Sequence, residues 1–204
     1  HEGYAKLSSL DFVLENNDTI PPDKGIFLNI TRRLNKKICN YISTSFYDSR
    51  LTSDPITETR SVNLKLDPIK DEGLFYVPIE HSGCSQRSDE EADLVEKTYN
   101  KIINKEFKVG NKLGKISSKD IMVVAPYNAQ ANNIRERLKK KNDDVRVGTI
   151  DLFQGQEAKV VLISMTTSDV ESLPRHKDFF FSRNRLNVAI SRAECVAIII
   201  FNEN

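Results

Sequence analysis

The 204-residue chain is 39% hydrophobic and 29% charged, with no Trp and only 8 Gly and 7 Pro, a composition that excludes fibrous and disordered classes and reads as one folded soluble domain. A formal net charge of +1 excludes a global positive field, so any nucleic-acid contact has to come from a local groove. Cys39, Cys84 and Cys195, like His1, His81 and His176, are too dispersed for a disulfide framework or a metal site, and no run approaches the roughly 18 apolar residues of a membrane span, so the expected compartment is the cytoplasm.

The chain opens without Met or a targeting pattern, and residues 1–24 read as a connector inside a longer polypeptide. Short apolar, β-branched runs then predict strands at 25–30, 74–79, 121–125, 145–150, 160–164 and 196–201. Several of these runs are continuous, as strands buried on both faces of a parallel sheet require. Helices are expected between them: near 32–46, from the Ser88-Asp-Glu-Glu91 capping-box start with Ala92, Val95, Tyr99 and Ile102 at helical spacing, over 129–141 with Ile134 and Leu138 on one face, and over 185–192. Strands alternating with helices predict a doubly wound α/β domain over 25–204, its sheet mainly parallel and covered on both faces. Residues 50–71 and 167–181 show no sustained period and are expected as surface excursions.

The chemistry concentrates in the last third. Val147-Gly-Thr-Ile-Asp-Leu-Phe-Gln-Gly-Gln-Glu157 runs into a buried strand, and Arg185-Leu-Asn-Val-Ala-Ile-Ser-Arg-Ala193 follows after a loop. Upstream stand Val124-Ala-Pro-Tyr-Asn-Ala-Gln130 and Arg33-Leu-Asn-Lys-Lys-Ile38, the latter leading to Phe46, Tyr47 and Leu51. In this order the four segments resemble motifs of superfamily 1 helicases of the Upf-like branch, and the resemblance spans nearly the whole chain. It implies a second RecA-like motor domain of an ATP-dependent helicase, preceded in the same polypeptide by a first RecA-like domain, to which residues 1–24 connect. Those opening residues also resemble the connector of bacterial helicases, some of which carry a RecB-like nuclease domain upstream. No Gly-x-x-x-x-Gly-Lys-Ser/Thr loop occurs in these residues, so the ligands of Mg2+ are expected in the first domain.

The resemblance also assigns roles. Arg192 becomes the arginine finger, because a guanidinium reaching the γ-phosphate from a second domain stabilises the charge that develops there. Arg33 is a second γ-phosphate contact. Glu157 offers a carboxylate to the two hydroxyls of the ribose, Gly155 lets the backbone turn tightly, and Gln154 couples the nucleotide face to the nucleic-acid face. Where the family has an aromatic residue, this chain has Arg32, whose planar guanidinium either lies on the adenine or marks weak base recognition. Asn35 and Lys36 likewise depart from the family's His-Pro. On the nucleic-acid side, Thr149 is a phosphate-contacting hydroxyl, and Ala125, Pro126 and Tyr127 form a strand-end platform braced by Gln130. Tyr127 has two readings, base stacking or packing. The basic run Lys139-Lys-Lys141 also has two, a nucleic-acid patch or a solvated helix end. The expected ligands are ATP, Mg2+ and single-stranded nucleic acid, DNA in preference to RNA. The competing function is a non-hydrolysing RecA-like binding module, which has no need of Arg192 or Glu157.

Overall fold

The computed structural model describes residues 9–14, 17–140, 144–168 and 183–203. Five strands form the central sheet: β4 (Gly73–Pro78), β7 (Ile121–Val124), β8 (Arg146–Gly148), β9 (Ala158–Ser164) and β10 (Ala193–Phe201). Their order is β4-β10-β9-β7-β8, and all four pairings are parallel. Alternate residues of one strand serve opposite faces. Val160 and Leu162 of β9 join one apolar cluster, Val161 and Ile163 the other, and every one of them is buried. This explains why the run carries no polar alternation.

Helices α3 (Asp89–Ile102) and α4 (Asn128–Lys139) cover the first face through Val95, Tyr99, Ile134 and Leu138. Helices α2 (Lys36–Phe46) and α5 (Arg183–Ile190) cover the second through Ile38, Ile42, Phe46 and Ile190. The fold is therefore the RecA-like doubly wound α/β class, each buried Ile or Leu contributing about 1.5–3 kcal/mol before the cost of ordering the chain. Among the described residues no helix is long and apolar enough to cross a membrane.

Several expectations change. The run 25–30 is not a core strand. Only β1 (Ile30–Thr31) pairs, in parallel with β2 (Thr52–Ser53), while Ile26 and Leu28 are 88% and 82% exposed. Apolar alternation there faces outward, and periodicity cannot distinguish the two sides. Residues 50–71 do more than cross the surface: Thr57, Val62 and Leu64 are buried, and β3 (Ser61–Val62) joins β5 (Glu106–Val109) and β6 (Lys112–Lys115) in a small antiparallel sheet. Most of the excursion expected at 167–181 lies outside the described residues, as does part of the 1–24 connector.

The capping box at Ser88 forms by half. The Ser88 hydroxyl accepts from the Glu91 amide at 3.1 Å, but the Ser88 amide donates to Gln130 Oε1 at 2.9 Å. Glu91 is released to face inward. Its carboxylate meets His81 Nε2 at 3.0 Å and accepts from Ser164 Oγ at 2.5 Å and from the Thr166 amide at 2.9 Å. Gln130 also donates to Ser88 O and Ser164 Oγ, so it binds α4, the start of α3 and the end of β9 together, a wider brace than one turn.

Candidate functional site

Arg33 and Glu157 are 124 positions apart in sequence, yet Arg33 Nε donates to Glu157 Oε2 at 2.8 Å. Arg33 follows β1 and precedes α2, whose start is fixed by Asn35. That side chain accepts from the Ile38 amide at 3.0 Å as the N-cap and donates to Cys195 O, so a buried residue anchors the loop to β10. The polar cap explains why Asn suits the position where the resemblance led to His. Glu157 immediately precedes β9, after the turn through Gln154 and Gly155. Gly155 has φ +76°, in the left-handed region where a Cβ is strained, so the turn requires glycine for conformation. Gln154 is exposed beside it.

Arg192 lies two residues beyond α5, in the turn that enters β10, and not within the helix as the run 185–192 implied. Its backbone is pinned from both sides: its amide donates to Ala189 O at 3.2 Å, and its carbonyl accepts from Ala158 N at 3.0 Å. Arg192 Nη1 donates to Gln156 O at 3.3 Å, and its buried Nε finds no partner. Burial, with the charge of Arg33 nearby, lowers the affinity of Arg192 for its proton. Against the upward push of burial, the hydrogen bond and charge of Arg33 hold the Glu157 carboxyl below its ordinary value. Glu194, on the same stretch of β10, is pushed up by burial and by the charge of Glu157. Thus Arg33, Glu157 and Arg192 stand side by side on one edge.

That edge opens into a cleft of about 680 Å³ whose wall includes Phe27, Arg32, Arg33, Tyr47, Glu157 and Asn187. Arg32 is solvent-facing, its Nε 3.1 Å from Asp54 Oδ2. The aromatic residues of the cleft come from elsewhere: the Phe27 and Tyr47 rings lie 5.8 Å apart, Arg50 sits 4.8 Å from the Phe27 centroid, and Asn187 Nδ2 donates to the Tyr47 hydroxyl at 3.2 Å. No sequence signal singled out Phe27, because it stands in the run misread as a strand. Arg60 was also missed. It donates to Arg33 O from the 50–71 segment.

The strand-end residues gather at a second place. Ala125, Pro126 and Thr149 line a small cavity of about 60 Å³ at the carboxyl ends of β7 and β8, together with Met165 and Arg185. Thr149 precedes the 3-10 turn Ile150–Phe153, and its side chain makes no capping bond to that turn. Arg185 grips Asp151 through two contacts of 3.2 Å, which fixes the turn from outside. Of the two readings of Tyr127, its surroundings favour packing. Tyr127 is only 4% exposed, with burial pushing its phenol up against a hydrogen bond to Thr167, so it packs and offers no base a ring face. The Ala125 amide already donates to Gly148 O at 3.1 Å, extending the sheet, and is not available to a phosphate. Thr149 and Pro126 keep accessible positions.

The protein-family profile described as "AAA domain" matches residues 6–204. The DNA polymerase alpha-associated DNA helicase A of Schizosaccharomyces pombe is 31% identical over 189 residues, covering 87% of this chain and 28% of that protein. An uncharacterized ATP-dependent helicase of Methanocaldococcus jannaschii is 31% identical over 197 residues, covering 90% of this chain and 27% of its own length. RNA helicase Mov10l1 of Mus musculus is 38% identical over 91 residues, 43% of this chain and 8% of that protein. The chain thus spans little more than a quarter of the first two relatives.

Proposed function

The chain belongs to this AAA domain family of superfamily 1, Upf1-like helicases, and from that premise we propose that it is the second of two RecA-like motor domains in an ATP-dependent helicase. ATP binds between it and a first domain that carries the phosphate loop and the Mg2+ ligands.

The observation that carries the reading is the Arg33–Glu157 pair beside Arg192 at the mouth of a cleft. The two side chains are 35% and 49% exposed, and an ion pair at such exposure is worth about 0–1 kcal/mol. A nucleotide can therefore separate them at little cost, giving Glu157 the ribose hydroxyls and Arg33 the γ-phosphate. Arg192, with its buried unpartnered Nε, is the finger. A guanidinium left short of one acceptor gains most where charge develops, and a pinned backbone spares it reorganisation during the reaction. When bound between the domains, Mg2+ and ATP supply the phosphoryl chemistry. This chain contributes the positive charge and the ribose contact.

Gln154 and Gly155 sit on the turn joining the two sites, since Thr149, Asp151 and Glu157 lie within one continuous stretch. The partner at Thr149 and Pro126 is single-stranded nucleic acid. Relatives are named both as DNA and as RNA helicases, and DNA is favoured because the S. pombe relative matched over most of the chain is a DNA helicase. The test is turnover by the purified chain. Alone it should hydrolyse no ATP above background, and joined to a first motor domain it should do so with nucleic-acid stimulation; robust turnover by the chain alone contradicts the half-site.

A further inference from the structure

Strand β8 is the outer edge of the central sheet, and it is only three residues long. An exposed edge strand invites pairing with other chains unless something covers it. Here Arg135, reaching across from α4, donates through Nη2 to Val147 O at 2.5 Å and closes the edge with a cation. Beside that bond runs an open groove of about 590 Å³. Lys119, Arg135, Lys139 and Arg146 line it, with Asp144 the one carboxylate among its described lining residues. The four cations come from three separate parts of the chain: the entry to β7, helix α4, and β8 itself. The sequence could not show this concentration, because the chain as a whole carries a net charge of only +1.

The groove is built in two layers. Arg135 and Arg146 are fixed. Arg135 is bound to Asn132 and Val147, and Arg146 Nη1 donates to Lys119 O at 2.7 Å and Glu157 O at 3.1 Å, while its Nη2 donates to Gln156 Oε1 at 2.9 Å. Lys119 and Lys139 are exposed and reach over the opening. Its floor is apolar, with Leu152 59% exposed above the buried Phe153. Leu152 and Phe153 belong to the 3-10 turn that Thr149 begins, so one turn lines both the groove and the strand-end cavity. The same Arg146 braces the Gln156–Glu157 backbone that leads to the nucleotide cleft.

We propose that this edge groove is a second nucleic-acid site, which grips the sugar-phosphate backbone of a single strand after it passes Thr149. The inference rests on the reading of the chain as a strand-binding motor domain. On this proposal Lys139, which lines the groove, follows the nucleic-acid reading of its basic run, while Lys141 lies outside the described residues. Fixed guanidiniums, exposed ammonium groups and an exposed apolar floor suit a phosphodiester backbone, which tolerates sliding and carries charge at every step.

The experiment titrates the purified chain with oligothymidylates of about 6 and about 20 nucleotides at several salt concentrations, the shorter reaching only the strand-end cavity. The double variant Lys119→Glu/Lys139→Glu changes two exposed side chains and keeps the fold, which circular dichroism checks. It should weaken the longer strand about tenfold or more, lower its salt slope by about 1.4, and leave the shorter strand unchanged. Equal affinity and equal slope for the longer strand overturn the groove while leaving the motor-domain reading intact. If the unaltered chain binds neither strand, the motor-domain reading and the groove fall together.

Discussion

The proposed nucleotide edge and the strand-end face are built from the same sheet but held in opposite ways. At the nucleotide edge the polar side chains satisfy one another loosely: Arg33 with a half-exposed Glu157, Arg32 with Asp54, and Arg192 with one carbonyl and one donor unpaired. Behind the strand-end face, Glu91, Gln130, Ser88 and Ser164 form a fully buried network in which the Glu91 carboxylate meets a ring nitrogen, a hydroxyl and an amide. It even holds Thr166, a β-branched residue, at φ +75°, a conformation that needs surrounding structure to maintain it. The lesson is mechanical. On the proposed reading, groups that change partners during a cycle sit at the open edge with weak bonds, and the surface that holds its shape is locked from behind.

The comparison breaks most visibly at Arg192. In a protein that carries this chain with its first motor domain, Arg192→Ala should lower turnover by about 10³ to 10⁵, roughly 4–7 kcal/mol. Arg192→Lys should not restore it, since a compact ammonium lacks the planar fork. Steady-state hydrolysis measures this directly, and turnover within a few-fold of normal returns Arg192 to a structural role.

The next effect is on stability. Glu91→Ala strands His81, Ser164 and the Thr166 amide in a buried setting, and should cost about 3–5 kcal/mol in denaturant unfolding. Arg33→Ala, at the loose edge, should cost about 0–1 kcal/mol by the same measurement. Equal losses at the two positions contradict the contrast between them.

How much of this the sequence could reveal follows the same division. Strands β7, β9 and β10 were legible because burial on both faces forces continuous apolar runs. The roles proposed for Arg33, Glu157 and Arg192 rest on motif order; that these side chains share one edge needed coordinates. Glu91 read as half of a capping box because spacing records which residue can reach an amide, and does not record that Gln130 takes its place. The same motif logic placed Ala125 at the strand surface and left Tyr127 either stacking or packing, because motif spacing does not record that the sheet takes the Ala125 amide and that the Tyr127 ring is buried. Lys119, Arg135 and Arg146 carried no signal individually, because a groove assembled from three segments has no spacing to detect.

A smaller effect separates surface from core electrostatics by pH. Burial raises the Asp120 carboxyl, but Lys159 Nζ at 2.5 Å and the Ser117 hydroxyl and amide more than reverse this, and the group titrates below its ordinary value of 3.8. A depressed folded value means stabilisation that is complete above the unfolded value and lost as pH falls through the folded one. Asp120→Asn should therefore cost about 1.5 kcal/mol near neutral pH and almost nothing in strong acid, which thermal melts across that range can follow.

The central claim, that one edge handles nucleotide while a separate face holds the strand, is tested most directly by two variants measured in one preparation of the two-domain protein. Hydrolysis and single-strand affinity are determined for Arg192→Ala and for Thr149→Ala after each is shown to fold. The account predicts a double dissociation: Arg192→Ala loses turnover with strand affinity within about twofold, and Thr149→Ala weakens strand binding by about 1 kcal/mol with basal hydrolysis near normal. If both variants lose both activities in proportion, or if Arg192→Ala weakens the strand more than it slows hydrolysis, the division into two sites is contradicted.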